Sequence, residues 1–102
     1  MDAKQISLMF KALSDEVRVN IMLQLMSGEQ CACNLMKEQK LTQPALSHHM
    51  KIMCSSGLVE GRRIGRWMHY ALSEQGTYHA QQFVQKLNKV SKRDPFEDLW
   101  CC

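Results

Sequence analysis

Apolar residues recur at helical spacing through the first half of the chain, then alternate over a short stretch past its middle. Ile6, Met9, Phe10 and Leu13 mark one face of a helix predicted over Ala3–Leu13. Asp15 is a suitable N-cap for a second helix, Glu16–Met26. There Val17, Val19, Ile21, Met22, Leu25 and Met26 cover most of the circumference, which predicts deep burial. Gly28 ends it. A third helix is predicted from about Gln30 to Lys37, with Cys33, Leu35 and Met36 turned inward beside Leu41 of the following turn.

A fourth helix opens at Thr42, whose hydroxyl can cap it, and Pro44 falls in the first turn, where a missing N–H costs nothing. Leu46, His49, Met50, Met53 and Cys54 form one face. Ser47, His48 and Lys51 lie opposite, Gln43 projects from the N-terminal end, and Gly57 stops the helix. A short helix, a tight turn and a helix with hydrogen-bonding residues outward is a helix-turn-helix pattern. Gln can pair with adenine, and Lys with guanine or phosphate, in a major groove. The plain alternative is a helical hairpin whose polar face is merely wet.

The segment that follows weighs against that alternative. Leu58–Ile64 and Arg66–Leu72 alternate as two strands around Gly65, and Arg62, Arg63 and Arg66 crowd the tip. A basic hairpin directly after a candidate recognition helix is the layout of a winged helix-turn-helix, the wing tracking phosphates or the minor groove. The predicted fold is mainly α with a β-hairpin wing, in the order α-α-α-α-β-β-α. Ser73 caps a last helix reaching about Val90, whose face of Phe83, Val84, Leu87 and Val90 is a natural dimer surface together with the first helix. Residues 1–92 form the DNA-binding and dimerisation domain. Residues 93–102 form a tail bearing Cys101 and Cys102, in which Pro95 blocks further helix and Phe96, Leu99 and Trp100 are apolar again.

Composition narrows the partners. At 102 residues the chain holds one modest core, and 45% hydrophobic residues are too many for disorder. No apolar run is long enough to span a bilayer, and the first ten residues lack the plan of a signal peptide, so a cytoplasmic protein is expected. The net charge is +3, but Lys40 to Tyr70 carries Lys40, Lys51, Arg62, Arg63 and Arg66 against Glu60 alone, a local +4. Such a patch is what phosphate contact requires. The five cysteines, Cys31, Cys33, Cys54, Cys101 and Cys102, are odd in number and too tightly spaced for a structural disulfide framework. In a reducing compartment they point to metal binding or response to oxidants.

With these segments in view the sequence resembles the ArsR/SmtB family of metal-sensing winged-helix repressors. The motifs are LSDEVRVNIMLQL, EQCACNL, LTQPALSHHMKIMCSSGLV and RRIGRWMHYALS, covering nearly the whole chain. EQCACNL resembles the ELCVCDL-type run of the arsenic, antimony, cadmium and lead sensors. The resemblance implies a dimeric repressor that leaves its operator when an inducer binds. Two departures stand out. The place of a further thiol, three residues after the second Cys, is Met36 here, and the N-terminal cysteines of cadmium and lead sensors are missing. The zinc site of other members, in the last helix, also lacks matching residues around His79.

Thiolates select soft ions, so As(III) or Sb(III) is the expected inducer, with Cd(II) or another thiophilic ion as alternatives. Cys31 and Cys33 are the expected ligands. Cys31 falls at a helix N-terminus, which favours a thiolate. On a regular helix, residues two apart point about 200° apart, so one ion held by both is expected to unwind the first turn and move the recognition helix. Cys101 and Cys102 are the candidates for a third sulfur; the linking segment spans at most ~40 Å fully extended. Cys54 reads as core. The rival readings are a thiol-redox or persulfide sensor of the same fold, a winged helix used only for protein contacts, and a thiol oxidoreductase. The last lacks a Cys-x-x-Cys motif on a βαβ frame, and the chain is not expected to be an enzyme.

Overall fold

The structure, a computed structural model, describes residues 2–89. The elements are α1 (Ala3–Ala12), α2 (Glu16–Leu25), β1 (Gln30–Cys31), α3 (Ala32–Gln39), α4 (Gln43–Ser55), β2 (Val59–Ile64), β3 (Trp67–Leu72) and α5 (Glu74–Asn88). The expected order holds with one addition. Gln30 and Cys31 are not the start of a helix but a short strand, and the antiparallel sheet has the order β1-β3-β2. The third helix accordingly begins at Ala32 and runs to Gln39. Val90, Cys101, Cys102 and the whole 93–102 tail lie outside the described residues.

Each helix start is fixed by its own side chain. Asp2, Asp15, Thr42 and Ser73 accept from the backbone N–H of Gln5, Arg18, Ala45 and Gly76, at 2.9, 3.2, 3.3 and 3.0 Å. Each satisfies one of the donors a helix leaves unpaired at its N-terminus. At α3 the cap is the sulfur of Cys31, which accepts from Cys33 N–H at 3.3 Å.

The core gathers Met9 and Ala12 of α1, Ile21 and Leu25 of α2, Leu35 of α3, and Leu46, Met50 and Met53 of α4, closed by Leu58, Val59 and Tyr70. Each such large side chain contributes about 1.5–3 kcal/mol on leaving water. The inner face of α4 is therefore the one the sequence predicts. α2 is not. It packs against α3 and β3, and beyond them Val19, Leu23 and Met26 stay 37%, 58% and 71% exposed. Cys33 is likewise exposed rather than inward, because Ala32 and Leu35 take the inner side of the first turn of α3.

The charged residue at the centre of this packing is Arg18, 8% exposed. Its Nε donates to the carbonyl of Ala12 at 3.0 Å and its Nη2 to that of Lys11 at 3.3 Å, at the C-terminal end of α1. Its Nη1 donates to His49 Nδ1 at 3.1 Å, on the inner side of α4. One guanidinium thus ties together α1, α2 and the fourth helix. α5 approaches from the other side: a Cβ on Gly76 would stand 1.8 Å from the carbonyl oxygen of Gly57, so only glycine admits this contact.

Candidate DNA-binding and thiol sites

α3, the turn at Lys40–Thr42 and α4 form the helix-turn-helix. Leu46, Met50 and Met53 fill the inner side of α4, and this leaves Gln43, Ser47, His48 and Lys51 exposed together on its outer side. His49, half-buried, lies at the edge of the inner side. Its Nδ1 faces both Arg18 Nη1 at 3.1 Å and Asp15 Oδ2 at 4.0 Å. A guanidinium only donates, so Nδ1 must accept and the ring proton sits on Nε2. Burial holds His49 below its ordinary pKa, the Asp15 carboxylate opposing and Arg18 and His48 assisting. The 4.0 Å approach to Asp15 is therefore not an ion pair in the neutral ring.

The wing turns at Gly65, whose φ of +63° suits the first central position of a two-residue hairpin turn. Gly61 lies opposite Tyr70, where a Cβ would come within 2.9 Å of the aromatic ring. Arg62, Arg63 and Arg66 are all exposed, as the basic tip requires. Arg62 is engaged, however. Its Nε and Nη2 donate to the two carboxylate oxygens of Glu29, both at 3.0 Å. The Arg62 hydrogen bond holds the Glu29 carboxyl below the usual carboxylate range, and Glu29 raises Arg62 in turn.

The thiol pair differs from the expectation that its sulfurs point to opposite sides of a helix. Cys31 has φ −66° and ψ 143°, an extended conformation, and stands before the helix as its cap. Its side chain turns along the axis toward Cys33, and the two are joined as a disulfide with Cα atoms 5.2 Å apart. No unwinding is needed to bring them together, since the first turn was never closed around Cys31. Cys31 pairs with His69 of β3, and His69 pairs with Arg62 of β2, so Cys31, His69 and Arg62 form one row across the sheet. Cys54 is a free, half-buried thiol, pushed up by burial and thus a poor thiolate donor. Among the described residues, no three His, Cys, Asp or Glu side chains are gathered as a metal site.

Sequence reasoning did not find Arg18, Glu29, His69 or Gly76. Arg18 leaves a trace, because it shares the buried i, i+3, i+7 stripe with Ile21 and Leu25. Glu29 and Arg62 are 33 residues apart and no local pattern joins them.

Residues 15–61 match the family described as bacterial regulatory protein, arsR family. The arsenical resistance operon repressor of Staphylococcus aureus is 38% identical over 93 residues, 89% of this chain and 85% of that protein. The crystal structure of an ArsR family transcriptional regulator superposes with a TM-score of 0.77 at 20% identity, over 83% of this chain and 93% of the other. The homodimeric winged helix-turn-helix DNA-binding domain of a possible ArsR-family regulator from Mycobacterium bovis has a TM-score of 0.69 at 25% identity, over 83% and 79%.

Proposed function

The chain belongs to the arsR family of bacterial regulatory proteins, as a transcriptional repressor of the arsenical-resistance type, and from that premise we propose how it reads DNA and what releases it. It is a DNA-binding regulator and not an enzyme. A homodimer sets the outer faces of two α4 helices in successive major grooves. Gln43, Ser47, His48 and Lys51 meet base edges and phosphates, and Arg62, Arg63 and Arg66 serve the wing. The dimer forms through α1 and α5. This is supported by Phe10 against Phe83, ring centroids 5.7 Å apart, and by Val84 and Leu87 left 51% and 57% exposed beside them.

The observation that carries the sensing proposal is the placement of Cys31. It caps α3 with its sulfur, beside Cys33, at the surface. Reduced to thiolates, two sulfurs so placed present a pair of soft donors. Cys31 and Cys33 would hold As(III) or Sb(III), with Cd(II) as an alternative, and Cys101 or Cys102 is proposed as a third sulfur donor. When bound, the ion supplies a strong cross-link between the strand β1 and the first turn of α3. α3 packs on α4, so strain at that turn reaches the reading helix.

The disulfide between Cys31 and Cys33 favours a second reading, a redox sensor at the same pair. The two thiols would give up two protons and two electrons to hydrogen peroxide, which becomes two waters. One experiment covers both readings. Operator DNA selected from a randomised pool is challenged with arsenite, antimonite, cadmium or zinc ion, or with peroxide, and release is followed by fluorescence anisotropy. Cys31→Ser and Cys33→Ser should bind DNA and fail to leave it, while Cys101→Ser/Cys102→Ser tests the third donor. If the single serine variants respond like wild type to every agent, the sensing site is elsewhere.

A further inference from the structure

We propose that Glu29 is a gate on the wing: its carboxylate withholds Arg62 from operator phosphate when Cys31 and Cys33 are bridged, and releases it when they are free. The inference rests on the sensing reading above and goes past it, since it routes the thiol state to the wing as well as to α4.

The geometry makes the route short. Glu29 sits two residues before Cys31 and next to β1. β1 is bound to β3 with Cys31 opposite His69, and β3 to β2 with His69 opposite Arg62. The ion pair of Glu29 with Arg62 closes this row from the outside, with both donor distances at 3.0 Å. In the structure the pair Cys31–Cys33 is bridged and the clasp is shut. A shut clasp neutralises one wing cation and occupies two of the donors a phosphate would use. A two-residue strand is held by few bonds, and its conformation is tied to the bridge through Cys31 itself. Freeing Cys31 from Cys33 frees β1 to shift, and with it the position of Glu29 relative to Arg62. The pair is exposed, so Arg62 is within reach of a phosphate once the clasp opens.

The test is the salt dependence of operator binding, measured for wild type, Glu29→Gln, Arg62→Gln and the double variant. Each is taken reduced, and again bridged by arsenite or oxidised by hydrogen peroxide. Each phosphate contact contributes about 0.9 to the slope of log K against log salt, so two wings of a dimer contribute about 1.8. On bridging, wild type should lose about that much more slope than Glu29→Gln does. Glu29→Gln should also keep more of its DNA affinity when bridged. Arg62→Gln should lower the reduced slope by about 1.8 and hide the effect of Glu29→Gln in the double variant. A wild type that responds normally while Glu29→Gln loses the same slope overturns the gate alone. A wild type whose binding ignores both agents overturns the sensing reading, and the gate with it.

Discussion

Replacing Arg18 by Met should strip the fold of its most connected polar side chain while leaving its volume nearly filled. Three hydrogen bonds are lost, to Ala12 and Lys11 carbonyls and to His49 Nδ1. Bonds from a charged donor contribute about 1.5–3 kcal/mol each, but the exposed edge of the site lets water serve the Lys11 carbonyl, and Met restores some apolar contact. A net loss of about 3 kcal/mol follows, at the lower end for a broken buried ionic group. For a domain of this size that lowers Tm by roughly 12–24 °C. Urea unfolding at one fixed protein concentration, needed because the proposed dimer links stability to concentration, measures it. In a double-mutant cycle with His49→Leu the coupling should be about 1 kcal/mol. A loss below about 1 kcal/mol, with no coupling to His49, would refute the view that this guanidinium seats α4.

Other outcomes follow from single positions. Gly76→Ala must push a methyl into the Gly57 carbonyl, 1.8 Å away, and should cost about 3 kcal/mol or more; an unchanged urea midpoint would contradict the close approach of α5. Lys40 ends α3 with φ +55°, a conformation glycine adopts without strain, so Lys40→Gly should stabilise by about 0.5–1 kcal/mol, read as a rise in Tm. His49 is held below the ordinary value of 6.5 chiefly by burial, so the folded state binds its proton less well than the unfolded. The stability it contributes is full above pH 6.5 and is lost as pH falls through the folded value. His49→Gln should flatten the fall in urea midpoint between neutral pH and acid, and an equally steep fall would assign the acid sensitivity to other groups.

The outer face of α4 was legible because its inner face is strictly periodic: Leu46, Met50 and Met53 leave no choice about which side is wet. The wing was legible from alternation about Gly65. α2 was not, because an apolar residue on every side does not say which side a neighbour will cover, and its main neighbours, α3 and β3, cover one side. The start of α3 failed for a different reason. β1 is two residues long, shorter than any period can register, and it exists only because β3 offers it an open edge. That one tertiary fact moves Cys31 out of the helix and beside Cys33. The ion pair of Glu29 and Arg62 is tertiary in the same sense, and so a wing arginine that looked free is engaged.

That two neighbouring sulfurs act together as the trigger is tested most directly by native mass spectrometry of the operator complex under reducing conditions, with arsenite added stepwise. One arsenic should bind per protomer, and DNA should leave at the same equivalence point. With Cys31→Ser or Cys33→Ser, neither should occur. Arsenic bound at full stoichiometry with DNA still in place, or DNA lost from a protein lacking both sulfurs, would contradict it.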